Sequence, residues 1–142
     1  MQITRQADYA MRAVVYLSRL GSDQRAATSQ IAEDQHIPPS FLAKIVSQLS
    51  VAGLLQTSRG ARGGVSLARS ADEISLLEVI EAIDGPILLN ECVADHGVCT
   101  FGESCVLRPV FCDAQTALVS QLGETSFGDI LSTNGNSLPT AS

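Results

Sequence analysis

Residues 28–69 read TSQIAEDQHIPPSFLAKIVSQLSVAGLLQTSRGARGGVSLAR, and their pattern is the clearest indication of the architecture. Thr28 is a suitable N-cap for a short helix, SQIAEDQ, and Pro39 suits the first turn of a second helix that ends at Gly53. Two short helices joined by a tight turn form a helix-turn-helix. The segments LLQTS and VSLAR, on either side of the glycine-rich RGARGG, predict a β-hairpin. A helix-turn-helix followed by a hairpin is a winged helix.

Further helices are predicted on both sides of this stretch. Thr4 can cap a helix from Arg5 to Leu20, whose apolar residues recur at three- and four-residue spacing. Ser75 and Glu78 match a capping box, which predicts a helix that ends before Gly85-Pro86. A late helix, PVFCDAQTALVSQL, carries an apolar stripe that suits dimerisation, although packing onto its own chain is the alternative. The stripe consists of Leu107, Phe111, Ala114, Leu118 and Leu122.

The fold class expected from these elements is mainly α with a small β-hairpin. Residues 1–70 are expected to form a winged helix-turn-helix DNA-binding region. Residues 71–131 contain a helix, a cysteine loop and a long dimerisation helix, in which Ser126 can cap a last turn, FGDIL. Residues 132–142 are polar and are expected to form a disordered tail.

Composition narrows the class of protein. The chain has 142 residues, of which 45% are hydrophobic, and it contains no apolar run long enough to span a membrane. The N-terminus lacks the apolar segment of a secretory signal, so a cytoplasmic location with reduced thiols is expected. There is no P-loop and no nucleophile–base pair, and only two His are present. The sequence therefore does not predict an enzyme.

Charge is distributed unevenly along the chain. The net charge is −6, but residues 1–69 carry eight basic and four acidic side chains. Residues 70–142 carry one basic and eleven acidic side chains. A basic N-terminal half indicates a surface that faces an anion such as DNA.

The residues that could contact DNA lie on the helix that begins at Pro39, the third helix along the chain, and in the wing. The third helix is expected to enter the major groove, and its outward-leaning polar residues are Ser40, Lys44, Ser47 and Gln48. Gln48 could pair with adenine in a bidentate manner, and Lys44 could reach phosphate or guanine. Arg59 and Arg62 flank the wing turn, where glycines would let the backbone approach the duplex. An exposed hairpin tip is the alternative for both arginines.

Four cysteines, Cys92, Cys99, Cys105 and Cys112, lie within 21 residues of one another. Clustered thiols in a reduced compartment bind metal or carry out redox chemistry. The spacing C-x6-C-x5-C lacks the paired knuckles of structural zinc sites and suits an iron–sulfur cluster better. Reversible disulfide formation is the alternative.

The chain resembles the winged-helix iron–sulfur transcriptional repressors that include IscR, NsrR and RirA. The segments MQITRQADYAMRAVVYL, GARGGVSLAR and ISLLEVIEAIDG and the three-cysteine loop match in order and spacing, and the resemblance covers about residues 1–131. It implies a homodimer that binds a palindromic operator in double-stranded DNA. It also implies one iron–sulfur cluster per subunit, with [4Fe–4S] favoured over [2Fe–2S].

By this resemblance Cys92, Cys99 and Cys105 are cluster ligands. The fourth ligand is open, because members of the IscR type have a His at the position of Arg108, and a guanidinium cannot ligate iron. NsrR-type proteins can use an Asp from the first helix of the partner subunit, and Asp8 stands at the matching place. Cys112 is the competing candidate, and His96, inside the loop, is a weaker one.

The resemblance therefore predicts a DNA-binding repressor that senses nitric oxide, redox state or the supply of iron or clusters. Two alternatives stay open from the sequence. One is a cluster-free thiol redox sensor, in which the cysteines form regulatory disulfides. The other is a redox or electron-transfer protein in which the winged helix is incidental.

Overall fold

The computed structural model describes residues 2–21, 23–61, 63–89 and 106–134. A central helix, α1, contacts most of the other elements. The elements are α1 (Arg5–Leu20), α2 (Thr28–Gln35), α3 (Pro39–Val51), β1 (Leu55–Ser58), β2 (Gly64–Leu67), a 3-10 turn (Ala71–Glu73), α4 (Leu76–Asp84), α5 (Arg108–Glu124) and α6 (Phe127–Asn134). Helices around an aliphatic core, with one antiparallel hairpin, confirm the predicted fold class.

The first helix begins and ends where the sequence predicts. The Thr4 hydroxyl accepts a hydrogen bond of 3.1 Å from the Ala7 N–H, and Gly21 ends the helix with a φ of +106°. The buried face consists of Ala7, Ala10, Ala13, Val14 and Leu17. Its small alanines let neighbouring helices approach closely, which is why α1 can lie at the centre of the core.

The second helix begins differently from the prediction. Thr28 is already helical, and Ala27 holds the N-cap position without a side-chain hydrogen bond, so the prediction that Thr28 caps the helix is wrong. The physical reason lies outside the helix. Ala26 is paired with Val65 of β2 through two backbone hydrogen bonds of 2.9 and 2.8 Å. This pairing fixes where the chain enters α2.

The turn between α2 and α3 uses a residue with positive φ. His36 has φ 54° and ψ 43°, and the neighbouring Ile37 N–H donates to the Ala32 carbonyl at 2.9 Å. Pro39 then starts α3, as predicted, in a position where no N–H donor is needed. The helix-turn-helix is therefore closed by backbone hydrogen bonds as well as by side-chain packing.

The fourth helix has the capping box that the sequence predicts. The Ser75 hydroxyl accepts from the Glu78 N–H at 3.2 Å, and the Glu78 carboxylate accepts from the Ser75 N–H at 3.0 Å. At the other end, Asp84 accepts hydrogen bonds from the Thr4 hydroxyl at 2.6 Å and the Thr4 N–H at 3.3 Å. The end of α4 is thus attached to the beginning of α1.

The last two helices differ in how they pack. Helix α5 contacts α4 and contains no fully buried residue. Helix α6 returns to the N-terminal half, where Phe127 is fully buried and its N–H donates to the Ile74 carbonyl at 3.0 Å. Ser126 caps α6 as predicted, by accepting from the Asp129 N–H. The helix continues through Asn134, so residues 132–134 of the predicted tail are helical, and residues 135–142 lie outside the described residues.

Candidate nucleic-acid interface and cysteine segment

Helix α3 presents one apolar face to the core and one polar face to solvent. Leu42, Ile45, Val46 and Leu49 are buried, which is the i, i+3, i+4, i+7 pattern of a single helix face. Ser40, Lys44 and Ser47 are exposed, so they are available to a ligand outside the chain. The structure therefore places three of the four predicted recognition residues on the accessible side of the helix.

Gln48, the fourth, is only half exposed. Its Oε1 atom is buried and has no hydrogen-bond partner among the described residues. A bidentate contact with adenine uses both the oxygen and the nitrogen of the amide. Gln48 would therefore have to change rotamer before it could make the contact that the sequence suggests.

Phe41 lies at the beginning of α3 and is 43% exposed, whereas its neighbour Leu42 is buried. The Phe41 ring lies 6.4 Å, centroid to centroid, from the ring of Tyr9 on α1. Both residues are apolar and adjacent, so composition alone does not distinguish which of them faces the core. The spacing of Leu42 from Ile45 and Leu49 is the signal that distinguishes them. An exposed aromatic ring beside Ser40 adds an apolar group to the predicted recognition surface.

The wing is an antiparallel hairpin of two four-residue strands, and the turn between them contains glycine. Leu55 pairs with Leu67 and Ser58 with Gly64, and Gly60 has a φ of +100°. Arg59 is exposed at this turn, while Arg62 lies outside the described residues. The base of the wing is fixed by Ala26, which the sequence analysis did not identify as part of the hairpin.

Gly64 is required where the wing meets Ala26. A Cβ atom built on Gly64 would lie 2.7 Å from the Ala26 carbonyl oxygen, and the φ of Gly64 is +150°. Any side chain at this position would push β2 away from the α1–α2 connection. Arg25, which precedes Ala26, is exposed, so the close approach brings another cation near the base of the wing.

Arg69 connects the end of the wing to α4. Its Nη2 atom lies 2.8 Å from Oε1 of Glu78, the same carboxylate that caps α4. Partial burial acts to raise the pKa of Glu78, but the hydrogen bonds from the Ser75 N–H and the Arg69 guanidinium outweigh it and lower the pKa. Glu78 therefore stays ionised and holds the wing and α4 together.

Asp8 lies in the first turn of α1, where an acid is favoured by the helix dipole. Its carboxylate is half exposed and lies 3.0 Å from Nε of Arg12, one turn further along. The accessible carboxylate could accept a ligand from outside the chain. Such a ligand would have to compete with the Arg12 guanidinium.

The cysteine segment is only partly within the described residues. Cys92, Cys99, Cys105 and His96 lie outside them, while Cys112 is a half-buried free thiol on α5. In the described ranges, no three His, Cys, Asp or Glu side chains come close enough to hold a metal ion. Cys112 and Asp8 are thus the candidate ligands whose positions are known.

A polar contact fixes the chain just before the cysteine segment. The Leu89 N–H donates to Oε1 of Gln115 at 2.9 Å, and Nε2 of Gln115 donates to the Ile87 carbonyl. Gln115 lies on α5, three residues after Cys112, so both side chains project from neighbouring positions on one helix face. No local sequence pattern marks Gln115 as a functional residue, because its partner Leu89 lies 26 residues away.

No helix within the described ranges combines the length and the apolar character that crossing a membrane requires.

Comparison with known proteins identifies the family. A family model described as "Rrf2: Iron-dependent Transcriptional regulator" matches residues 3–133. The chain is 33% identical over 139 residues to Rv1287 of Mycobacterium tuberculosis, named as an HTH-type transcriptional regulator, with 98% of this chain and 84% of that protein covered. It is 30% identical over 132 residues to the HTH-type transcriptional regulator NsrR of Halalkalibacterium halodurans, with 92% and 90% covered.

A solved structure agrees with the described fold. The structure of CymR, the global cysteine regulator of B. subtilis, superimposes with a TM-score of 0.81 at 25% sequence identity, covering 94% of this chain and 98% of that one. These relatives are named as regulators, which confirms the prediction that the chain is not an enzyme. The chain belongs to the Rrf2 family of transcriptional regulators.

Proposed function

We propose that the chain is a homodimeric repressor of a palindromic operator in double-stranded DNA, and that an iron–sulfur cluster on Cys92, Cys99 and Cys105 controls its operator affinity. The observation that carries the proposal is the position of these cysteines in the chain. They lie between α4, which is attached to the winged helix, and α5, which has no buried residue. A change at the cysteines would therefore act on both helices.

The DNA-binding part of the proposal uses the exposed side of α3 and the wing. Ser40, Lys44 and Ser47 would face the major groove, and Arg59 and Arg62 would contact phosphate or the minor groove. Phe41 is exposed enough to contact a thymine methyl group. Gln48 could contribute after a change of rotamer.

The dimer part of the proposal uses α5. Its 17 residues correspond to a length of about 25 Å. Leu107, the N-cap residue of α5, is 57% exposed, and Val110 in its first turn is 63% exposed, so an apolar surface is open to a second copy of the helix. Pairing of two α5 helices would fix the separation of the two recognition helices, which must match half-sites about 34–36 Å apart.

The donor set fits an iron–sulfur cluster, since such clusters are held by cysteine thiolates. When bound, the cluster supplies iron–thiolate bonds that respond to redox state and nitric oxide. The fourth ligand would be Asp8 of the partner subunit or Cys112. Asp8 would have to leave Arg12, whereas Cys112 is a free thiol on α5. The [4Fe–4S] form remains the favoured one.

A cluster-free thiol sensor is the second candidate function. The observation in its favour is the likeness to CymR, which is named a global cysteine regulator. In this case Cys112 would form a disulfide with a cysteine of the 92–105 segment. The electron-transfer alternative gains no support, because the relatives are named as transcriptional regulators.

Native mass spectrometry of anaerobically prepared protein tests the proposal. The expected result is a dimer that carries one cluster of [4Fe–4S] mass per subunit. An Asp8→Ala or Cys112→Ala variant that loses the cluster identifies the fourth ligand, and Asp23→Ala, at an exposed acid, is the matched control. Metal-free wild-type protein whose DNA affinity changes with thiol oxidation would instead establish the thiol sensor.

Operator binding is tested separately, on a duplex selected from a random library. Arg59→Ala is expected to weaken binding about tenfold. It should also make the affinity less dependent on salt concentration, by the amount that corresponds to about one lost phosphate contact. Arg19→Ala, at an exposed arginine near the end of α1, is the control. Equal affinities of the cluster-bound and cluster-free wild-type proteins would overturn the regulatory part of the proposal.

A further inference from the structure

The contact between Gln115 and the chain before the cysteine segment uses both ends of the amide. The oxygen accepts from the Leu89 N–H, and the nitrogen donates to the Ile87 carbonyl. Both backbone groups lie outside helices and strands, so this side chain satisfies them where no regular element does. Among side chains of this length, only an amide supplies a donor and an acceptor together.

The same short segment is fixed at its other end. Asp84, the last residue of α4, accepts two hydrogen bonds from Thr4, the N-cap of α1. Residues 84–89 therefore connect the beginning of α1 with the middle of α5 through side-chain hydrogen bonds at both ends. Ile87 is buried between these two attachments, which adds an apolar contact to the polar ones.

The position of Gln115 relates this link to the cysteines. Leu89 precedes Cys92 by three residues, and Gln115 follows Cys112 by three residues, which is about one turn of α5. The contact thus lies next to the first cysteine in sequence and next to the last cysteine on the helix. Helix α5 has no buried residue of its own that would fix its position in the same way.

We propose that Gln115 is a positioning residue that couples the cysteine segment to α5. The inference rests on the proposed function, in which the state of the cysteines controls operator affinity through the paired α5 helices. While Gln115 holds Ile87 and Leu89, a displacement at Cys92 moves α5 relative to α1. Without this contact, the segment can move while α5 stays in place.

The test compares Gln115→Leu with Gln121→Leu, an identical change at an exposed glutamine on the same helix. Hydrogen exchange at Leu89 in the cluster-free protein measures the contact itself. We expect Gln115→Leu to accelerate this exchange about tenfold, since the Leu89 N–H loses its side-chain acceptor, and Gln121→Leu to leave it unchanged.

The second measurement is the ratio of the operator affinities in the two states of the cysteines. For the cluster sensor these states are cluster-bound and cluster-free, and for the thiol sensor they are reduced and oxidised. Gln115→Leu is expected to bring this ratio close to one, with cluster content and dimer mass as in the wild type. A purely structural role of Gln115 would lower stability but leave the ratio at its wild-type value. An unchanged ratio therefore overturns the inference.

Two further results separate this inference from the proposed function. A wild-type ratio of one overturns both, whereas a wild-type ratio that differs from one and survives in Gln115→Leu overturns the inference alone. Gln115→Glu serves where the leucine variant does not fold, because it keeps the acceptor for Leu89 and loses the donor to Ile87. It is also expected to bring the ratio closer to one, and a wild-type ratio in this variant overturns the inference.

Discussion

Helices α5 and α6 follow one another in the chain and meet the rest of the molecule in opposite ways. Helix α5 has 17 residues and buries none of them completely, whereas α6 has eight residues and begins with the fully buried Phe127. Length therefore does not decide which helix is fixed to the core. The fully buried Phe127, together with Ile130, anchors the short helix, whereas the long helix keeps an apolar surface that is open to a partner.

The largest expected effect comes from removing the anchor of α6. Phe127→Ala leaves a cavity in the core that contains Leu17 and Ile74, and we expect a loss of about 3–5 kcal/mol in the free energy of unfolding. Urea unfolding of the apo protein measures this loss. Phe41→Ala, at a half-exposed ring, is the control and should cost less than about 1 kcal/mol. Similar losses in both variants would contradict the contrast.

Two glycines with positive φ show a similar contrast. Gly64, in the wing, packs against Ala26, whereas Gly53 faces open space. Gly64→Ala would place a methyl group against the Ala26 carbonyl, and we expect a loss of about 2–3 kcal/mol. Gly53→Ala is the control, because Gly53 also has positive φ, +80°, but faces open space, and it should cost only about 1–2 kcal/mol. Thermal unfolding followed by circular dichroism compares the two. Equal melting temperatures would mean that the wing base is not packed tightly.

The open surface of α5 gives the third expected effect. Val110→Asp places a charge on its exposed apolar side, so it should weaken the proposed dimer about tenfold and change the free energy of unfolding of the monomer by less than about 0.5 kcal/mol. Sedimentation equilibrium measures the dimer. Thr116→Asp, on the opposite side of α5 from Leu107, is the control. A variant that stays as dimeric as the wild type would exclude this surface of α5 as the interface.

The smallest expected effect concerns the link between the wing and α4. The pKa of Glu78 is lowered because the hydrogen bonds from Ser75 and Arg69 outweigh the effect of burial. The carboxylate thus contributes stability above the ordinary Glu pKa of about 4.3, and this contribution is lost as the pH falls through the lowered pKa. Both side chains are partly exposed, so Glu78→Gln should cost only about 0.5 kcal/mol at pH 7.

Unfolding of Glu78→Gln at a series of pH values measures this contribution. The difference from the wild type is expected to shrink as the pH falls below about 4. Glu81→Gln, at an exposed acid on the same helix, is the matched control. A difference that is constant with pH would mean that the ion pair with Arg69 does not affect stability.

Local chemistry allowed much of the fold to be predicted from the sequence. The caps at Thr4 and Ser75 and the proline at the start of α3 depend on residues at most three positions apart, and each was predicted correctly. The N-cap of α2 was not, because the pairing of Ala26 with β2 sets the start of that helix from 39 residues away. Tertiary contact overrides a local preference in this case.

The candidate site was less predictable for the same reason. Exposure of Ser40 and Lys44 follows from the helix period, and the structure agrees. The buried Oε1 of Gln48 and the amide contact of Gln115 depend on neighbours that no short motif contains. The ligand roles of Cys92, Cys99 and Cys105 and the contact of Arg62 with DNA remain predictions, since these residues lie outside the described ones.

Phe127 also has a consequence for synthesis of the chain. Among the described residues, Phe127 completes a buried cluster whose other fully buried members lie no later in sequence than Val79. Ribosomes add roughly 5–20 residues per second, so Phe127 is made about 3–12 s after Val65. During this interval every cysteine of the chain is translated, while the core of the winged helix still lacks its largest side chain. All four thiols are therefore synthesised before the side chain that completes this buried cluster.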